Sequence, residues 1–337
     1  MKSKYHLIYK FGTYLDQFKY IRRKLNILDK DINYFHLNQK DNSLKDIFTS
    51  DNNETHIVFI GLGGKDAIAL AKKIRSMQKP NIILISFFPG IISKHDLSGF
   101  YARSASDIIL FGSKRLMERS KRIPFQKNIV KLFIGMNKSI ENIKPNSNTD
   151  LCFIEQSGIP GTKKDKSNFY YKLFCFFKNN HKRKLTILRK NKNDDAHYEE
   201  NIDLNNLRLL RLDNVEVVEE LYEVPKKTFT FSSAMIIQLL ELSKVNIISD
   251  YGFRSSFGND FFQNSNLDSK IDEILQNDSL TTINSSWLND ITQDSDIDIY
   301  DIILKIIKTK KDYINFNLLV ITWFFHQKLS TAIMIIK

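Results

Sequence analysis

The stretch "TFTFSSAMIIQLLELSKVNIISDYG", Thr228 to Gly252, places two adjacent serines, Ser232 and Ser233, after a β-prone segment and before a run that reads as helix. Free backbone amides at a helix start, with the helix dipole behind them, favour a phosphate, and serine hydroxyls add donors at the same place. A serine in that position also serves as an ordinary N-cap, and the two uses are compatible. Asp250 and Gly252 follow the next apolar strand, where the glycine permits a turn and the carboxylate can receive a ribose or sugar hydroxyl or cap the next element.

Three more stretches carry chemistry. Arg189 closes the apolar run "KLTIL" and leads into "KNKNDDAHYEE", in which His197 and Glu199 lie two apart and share a side of an extended segment. An imidazole titrates near neutrality and can hand over or share a proton with a departing anion, although a lone loop histidine is usually just solvated. The run "HIVFI" ends in Gly61-Leu62-Gly63-Gly64-Lys65-Asp66, a tight strand-to-helix turn whose amides could face a ligand, without the spacing of a dinucleotide fingerprint. The run "NIILIS" ends in Phe87-Phe88-Pro89-Gly90, a turn signal at the end of a strand where ligands bind in open α/β sheets. Asp66 and Asp96 are the carboxylates near these two loops that could accept a proton.

The elements that position these loops alternate. Strands are expected at 5–9, 33–37, 56–60, 81–86 and 107–111, with helices over 14–25, 66–78 and about 96–102. The polar, non-periodic segment 140–150 reads as a boundary. The rhythm then restarts with strands at 152–155, 184–188, 229–231 and 245–249, shorter pieces around 207–212, and helices over 166–179, 270–276 and 297–308. This predicts an α/β fold of two doubly wound Rossmann-like domains facing a cleft, with a C-terminal helical stretch. Serving glycosyl transfer, that architecture is called GT-B. The expected divisions are residues 1–145 (acceptor side), 146–310 (nucleotide-sugar side) and 311–337 (apolar helix).

The chain has 337 residues, enough for two such domains, and is 42% hydrophobic and 26% charged, a globular balance. Its net charge of +12 suits an anionic partner. The basic residues are scattered without the aromatic spacing of an RNA-binding sheet or a DNA-reading helix, so nucleic acid is not expected. Cys152 and Cys175, without metal or redox spacing, read as free thiols in a reducing compartment. The start "MKSKYHLIYKFG" lacks the apolar core of a signal peptide, so a cytoplasmic protein is expected. The apolar stretch "YINFNLLVITWFFHQKLSTAIMIIK" is interrupted by His326, Gln327 and Lys328. It reads as a helix packed on the protein or lying in the inner face of the cytoplasmic membrane, not as a span.

Three segments, "IILISFFPGIISKHDLSGFYARSASDIILFGSKRLME", "LRKNKNDDAHYEE" and "FSSAMIIQLLELSKVNIISDYG", together resemble an uncharacterised bacterial family of glycosyltransferases from polysaccharide gene clusters. Pro89, Gly90, Ile91, Arg103 and Asp107 stand at the places of its Pro-Gly-Ile loop, its arginine-bearing helix and its Asp-initiated strand. Arg189, His197 and Glu199 match its basic strand end and His-x-Glu pair, and Ser232, Ser233, Asp250 and Gly252 its serine pair and later turn. The chain departs at Ile187, where a lysine is expected, and at Gly12 and Thr13, which replace an acidic pair and leave the base unassigned. The second-half set is also similar in its roles to bacterial GT-B sialyltransferases, although Tyr198 follows His197 where those have proline.

The chain offers no Asp-x-Asp directly after a strand, since Asp294 and Asp296 fall in a polar late loop, so the transferase that the resemblance implies is expected to need no metal and no bound cofactor. Its donor would be a nucleotide sugar, in one version CMP-sialic acid or another CMP-nonulosonic acid, and its acceptor a capsule or lipooligosaccharide glycan or glycolipid. His197, Arg189, Ser232 and Ser233 would face the leaving nucleotide, and Gly61, Gly63, Gly64, Pro89 and Gly90 the acceptor. A nucleotide-sugar epimerase and a non-catalytic scaffold of a polysaccharide assembly complex stay open as alternatives.

Overall fold

Apolar runs of four to seven residues alternate with amphipathic segments, and in this computed structural model the runs become parallel strands. The structure describes residues 3–37, 54–77, 81–88, 90–93, 96–126, 129–137, 144–145, 150–156, 162–189, 204–251, 259–276, 282–292, 302 and 316–336. The chain folds into two compact units, Met1–Met136 with Asn289–Ile336, and Asn137–Leu288.

The first unit is built on β1 (Ser3–Tyr9), α1 (Gly12–Lys24), β2 (Ile32–His36), β3 (Thr55–Gly61), α2 (Gly64–Arg75), β4 (Ile82–Phe87), α3 (Leu97–Ala102), β5 (Ile108–Phe111), α4 (Lys114–Ser120) and β6 (Val130–Phe133). Its six strands are all parallel, in the order β2-β1-β3-β4-β5-β6. Every residue of β3 and β4 is buried, as a central strand covered on both faces requires. Helix α2 buries Ala67, Ile68, Leu70, Ala71 and Ile74 on one face, and Lys72, Lys73 and Arg75 fall in its last turn, where they complement the dipole. Phe18 of α1 meets Phe59 of β3 at a ring-centroid distance of 4.8 Å.

The second unit holds β7 (Lys144–Pro145), β8 (Leu151–Ile154), α5 (Lys163–Asn179), β9 (Leu185–Leu188), α6 (Leu204–Leu209), β10 (Val215–Val218), β11 (Glu223–Val224), β12 (Lys227–Thr230), α7 (Met235–Gln238), β13 (Lys244–Ile248), β14 (Asp268–Ser269) and α8 (Ile271–Gln276). Its main sheet runs β10-β9-β8-β12-β13-β14, again all parallel. That is the doubly wound order with a switch point between β8 and β12. Strands β7 and β11 pair apart from it. Phe153, Phe169, Phe229 and Phe231 form the aromatic centre of the core. Cys152 is buried there, which pushes its thiol up to about 12, so it stays protonated. Cys175 is also a free cysteine.

Helix α9 (Ser285–Ile291) leads back to the first unit, and α10 (Phe316–Ile336) packs on α2 and α3. Strands β6 and β10 and helix α4 are not foreseen from the sequence. The segment around 207–212 is partly helix, and the helix expected at 297–308 lies outside the described residues apart from Ile302.

Candidate functional site

Ligands of open parallel sheets bind beyond the carboxyl ends of the strands, where the strand order reverses. In the first sheet that place lies between β1 and β3, and in the second between β8 and β12. Both are lined by stretches that the sequence singles out.

In the first unit, Gly61 ends β3, Gly63 caps α2 and Gly64 opens it. A Cβ on Gly61 would sit 2.9 Å from the Tyr9 Cβ and 3.2 Å from the Ile8 carbonyl, so the close approach of β3 to β1 demands glycine. Gly64 adopts φ +56°, which favours glycine for a second reason, and Trp323 of α10 lies against it. Asp66, in the first turn of α2, receives a 3.0 Å hydrogen bond from the Lys10 ammonium, just past β1. This ion pair joins the two strand ends at the switch point while Asp66 keeps 43% of its side chain in solvent. Asp96 does different work: it is the N-cap of α3, accepting from the Gly99 amide at 3.2 Å and the Ser98 hydroxyl at 2.5 Å. Gly90 is half-buried beside Ile91, and Pro89 lies outside the described residues.

Arg103 is the residue of this region whose environment the sequence does not disclose. It is 4% exposed, donates to the Phe87 and Gly99 carbonyls at 2.8 Å each and to the Tyr14 hydroxyl at 3.1 Å, and lies 3.9 Å over the Phe88 ring. Burial lowers its pKa, opposed by Tyr14 and Asp96. It therefore ties the end of β4 to α3 and, through Tyr14, to the glycine turn. Asp107 sits at the other end of the sheet, taking the Leu84 amide at 2.8 Å and pairing with Arg75, which makes it a fastening of β4 to α2.

In the second unit, the helix expected after Ser232 and Ser233 is only the four residues Met235–Gln238, and its N-cap is Ala234. Ile236, Ile237 and Leu239 are all buried. Burying neighbours in the chain replaces the single apolar stripe of a long helix with a docked turn. The dipole argument for a phosphate at this mouth is thereby withdrawn, because a single turn has little aligned dipole. The serines instead belong to a polar junction. The Gln156 side-chain oxygen, just past β8, accepts from the Ser232 amide at 2.8 Å and the Thr230 hydroxyl at 3.2 Å. The Ser233 hydroxyl oxygen accepts from the Met235 amide at 3.3 Å, and its own proton can still be donated.

Arg189 differs from expectation. Its guanidinium is buried in a bidentate pair with Glu155, with Nη2 donating to Oε1 at 2.7 Å and Nε to Oε2, and Nη2 also reaches Asn206 at 3.4 Å. Tyr170 donates to the same carboxylate. The Glu155 carboxylate matches the guanidinium charge in place. The pair fixes the ends of β8 and β9. Asp250 accepts the Ile271 amide at 3.1 Å and so caps α8, with Lys172 at 3.9 Å. His197, Glu199 and Gly252 lie outside the described residues. Sequence reasoning misses Glu155 and Gln156, although two adjacent polar groups directly after a fully buried strand are the signal that could find them.

The fold is GT-B, two Rossmann-like α/β domains. The chain belongs to the family described as "Putative glycosyltransferase (DUF6716)", whose model matches residues 39–296. It is similar to the Methanocaldococcus jannaschii UDP-GlcNAc 2-epimerase solved with UDP-GlcNAc and UDP, at 9% identity and TM-score 0.56, over 90% of this chain and 99% of that one. It is also similar to S. aureus MnaA solved with UDP, at 9% identity and TM-score 0.51, over 94% and 100%. At such identities the likeness concerns fold alone. No curated protein matches the chain in sequence.

Proposed function

We propose that this protein transfers a glycosyl group from a nucleotide-sugar donor to a hydroxyl of a glycan or glycolipid acceptor. Membership of a glycosyltransferase family over residues 39–296, which span parts of both sheets, carries the reading. The polar groups at the two switch points supply its chemistry.

On the second unit, the donor phosphate would meet the backbone amides and the Ser233 hydroxyl after β12, in a loop held by Gln156. Arg189 and Glu155 act from behind as positioning residues. His197 and Glu199 follow Arg189 in the chain and keep their expected role toward the leaving nucleotide. On the first unit, the acceptor would lie on the Gly61–Gly64 turn and the loop holding Gly90, with Asp66 as base. Transfer needs an acceptor oxygen to attack the anomeric carbon and to give up its proton, the part proposed for Asp66. The bond from that carbon to the phosphate oxygen breaks, and its electron pair leaves on the nucleotide. Stabilising that departing charge is the largest demand on such a site. Asp66 is favoured over Asp96 because, although paired with Lys10, it keeps 43% of its side chain in solvent, whereas the Asp96 carboxylate is taken up by the Gly99 amide and the Ser98 hydroxyl.

The donors to compare first are UDP-sugars, since UDP is bound by the M. jannaschii and S. aureus proteins, and the CMP-linked acidic sugars that the resemblance implies. A capsule or lipooligosaccharide fragment is the acceptor to pair with them. The second reading, a nucleotide-sugar epimerase, is favoured by the likeness to the M. jannaschii enzyme. Incubation with a donor panel, with and without acceptor, separates the two. Transfer requires acceptor and releases nucleotide, whereas epimerisation converts the donor alone. Asp66→Asn should lower kcat by about 10²–10⁴-fold, the usual worth of a positioned base, with little change in donor KM. An unchanged kcat would remove Asp66 from the mechanism.

A further inference from the structure

Over 318–328, helix α10 presents two different faces. Leu319 and Trp323 are buried, and His326 stacks on Tyr101 at 4.9 Å, so this stripe is the seam against α2 and α3. Three to four residues apart on another face stand Leu318, Ile321, Phe324 and Phe325, which are 48%, 65%, 50% and 62% exposed, with Val320 beside them. Large apolar groups held in water in one contiguous stripe, on a helix already anchored by its other side, mark a docking surface.

The charge around this stripe indicates what docks there. Residues 316–337 contain no acidic side chain. Lys328 lies 4.8 Å over the Phe324 ring, so its ammonium rides at the edge of the apolar face. Helix α2, against which α10 packs, exposes Lys65, Lys72 and Lys73. A second copy of this chain would bring the same positive charge, with +12 on each molecule. An anionic bilayer brings the opposite charge and an apolar interior within reach of side chains. Among the described residues, no helix is long and apolar enough to cross a membrane. With Leu319 and Trp323 held on the protein, the exposed apolar side of α10 is the part left to meet such a surface.

We propose that the Leu318–Ile321–Phe324–Phe325 face of α10 docks the protein on an anionic phospholipid surface, with the neighbouring lysines on the headgroups. This deepens the proposed function, on which it rests only for the idea that the acceptor is presented at a membrane.

The test is co-sedimentation of the full chain with phosphatidylcholine vesicles, with and without phosphatidylglycerol, beside an Ile321→Ser/Phe325→Ser variant whose fold is checked by circular dichroism and melting. Both positions are exposed, so folding should survive. The native chain should bind the phosphatidylglycerol vesicles, less so in high salt, and the variant should bind at least about tenfold more weakly. Absence of binding, equal binding to both vesicle types, or variant binding equal to native would overturn the proposal. So would light scattering that shows a dimer in the native chain and a monomer in the variant. Nucleotide release with soluble substrates, measured on the same preparations, reports on the transferase reading separately: its failure would leave vesicle binding untouched, and the reverse holds.

Discussion

The Glu155–Arg189 pair yields the most exacting prediction about the second unit. Both side chains are nearly inaccessible to solvent, at 6% and 7%. Glu155→Gln removes the carboxylate but not its shape, leaving a buried guanidinium with Asn206 and a neutral amide. Removing one partner of a buried pair costs about 3–5 kcal/mol, because the remaining charge is uncompensated. At about 2–4 °C per kcal/mol for a unit of this size, the melting temperature should fall by roughly 10 °C. Adding Arg189→Met withdraws the stranded charge and should recover most of that loss, so the two substitutions together cost much less than their sum. Thermal and urea unfolding of the four proteins gives the coupling. Nucleotide affinity gives the second readout: if Arg189 positions strand ends, Arg189→Met should change affinity only about as far as it changes stability. A variant that keeps its melting temperature yet loses nucleotide binding by a hundredfold or so would show that Arg189 touches the donor.

Two further outcomes concern the first unit. Gly61→Ala would drive a methyl into the Tyr9 Cβ and the Ile8 carbonyl, and should destabilise by about 1–3 kcal/mol in chemical denaturation, since backbone cannot step aside as a side chain can. A loss below the error of measurement would contradict the tight β1–β3 contact. His6 is buried against His56 at 3.0 Å, and burial lowers its pKa from 6.5 to about 4. Between these values the unfolded chain binds a proton that the folded one does not. Stability should therefore rise from about pH 4 to about pH 6.5, by up to about 3 kcal/mol from this group, and level off above. His6→Gln should flatten that part of the profile, and an unchanged slope would place the titration elsewhere.

Most of the fold was legible because buried parallel strands leave continuous apolar runs. "HIVFI", "NIILIS" and "KLTIL" each became a strand within a residue or two. Val130–Phe133 and Val215–Val218 escaped because both are half-exposed edge strands interrupted by a charged residue, Lys131 in one and Glu216 in the other. The position of the loops was also readable, since strand ends follow from strand order. Their pairings were not. Nothing in the chain says that Arg189 meets Glu155, 34 residues away, or that Gln156 holds the Ser232 amide, 76 residues on. Such pairs are made by adjacent strand ends and exist only once the sheet is ordered. The serine pair misled for a related reason: helix propensity favours a long helix after Ser233, and the burial of Ile236, Ile237 and Leu239 imposed a single turn.

Glycosyl transfer is tested most directly by the release of free nucleotide from a panel of UDP- and CMP-linked sugars by the purified chain, followed with and without a glycan acceptor. One donor class should be consumed, only when acceptor is present, and Asp66→Asn should slow that consumption by about two orders of magnitude or more while donor still binds. Conversion of a donor to its epimer without acceptor, or failure of every nucleotide in the panel to bind at millimolar concentration, would contradict it.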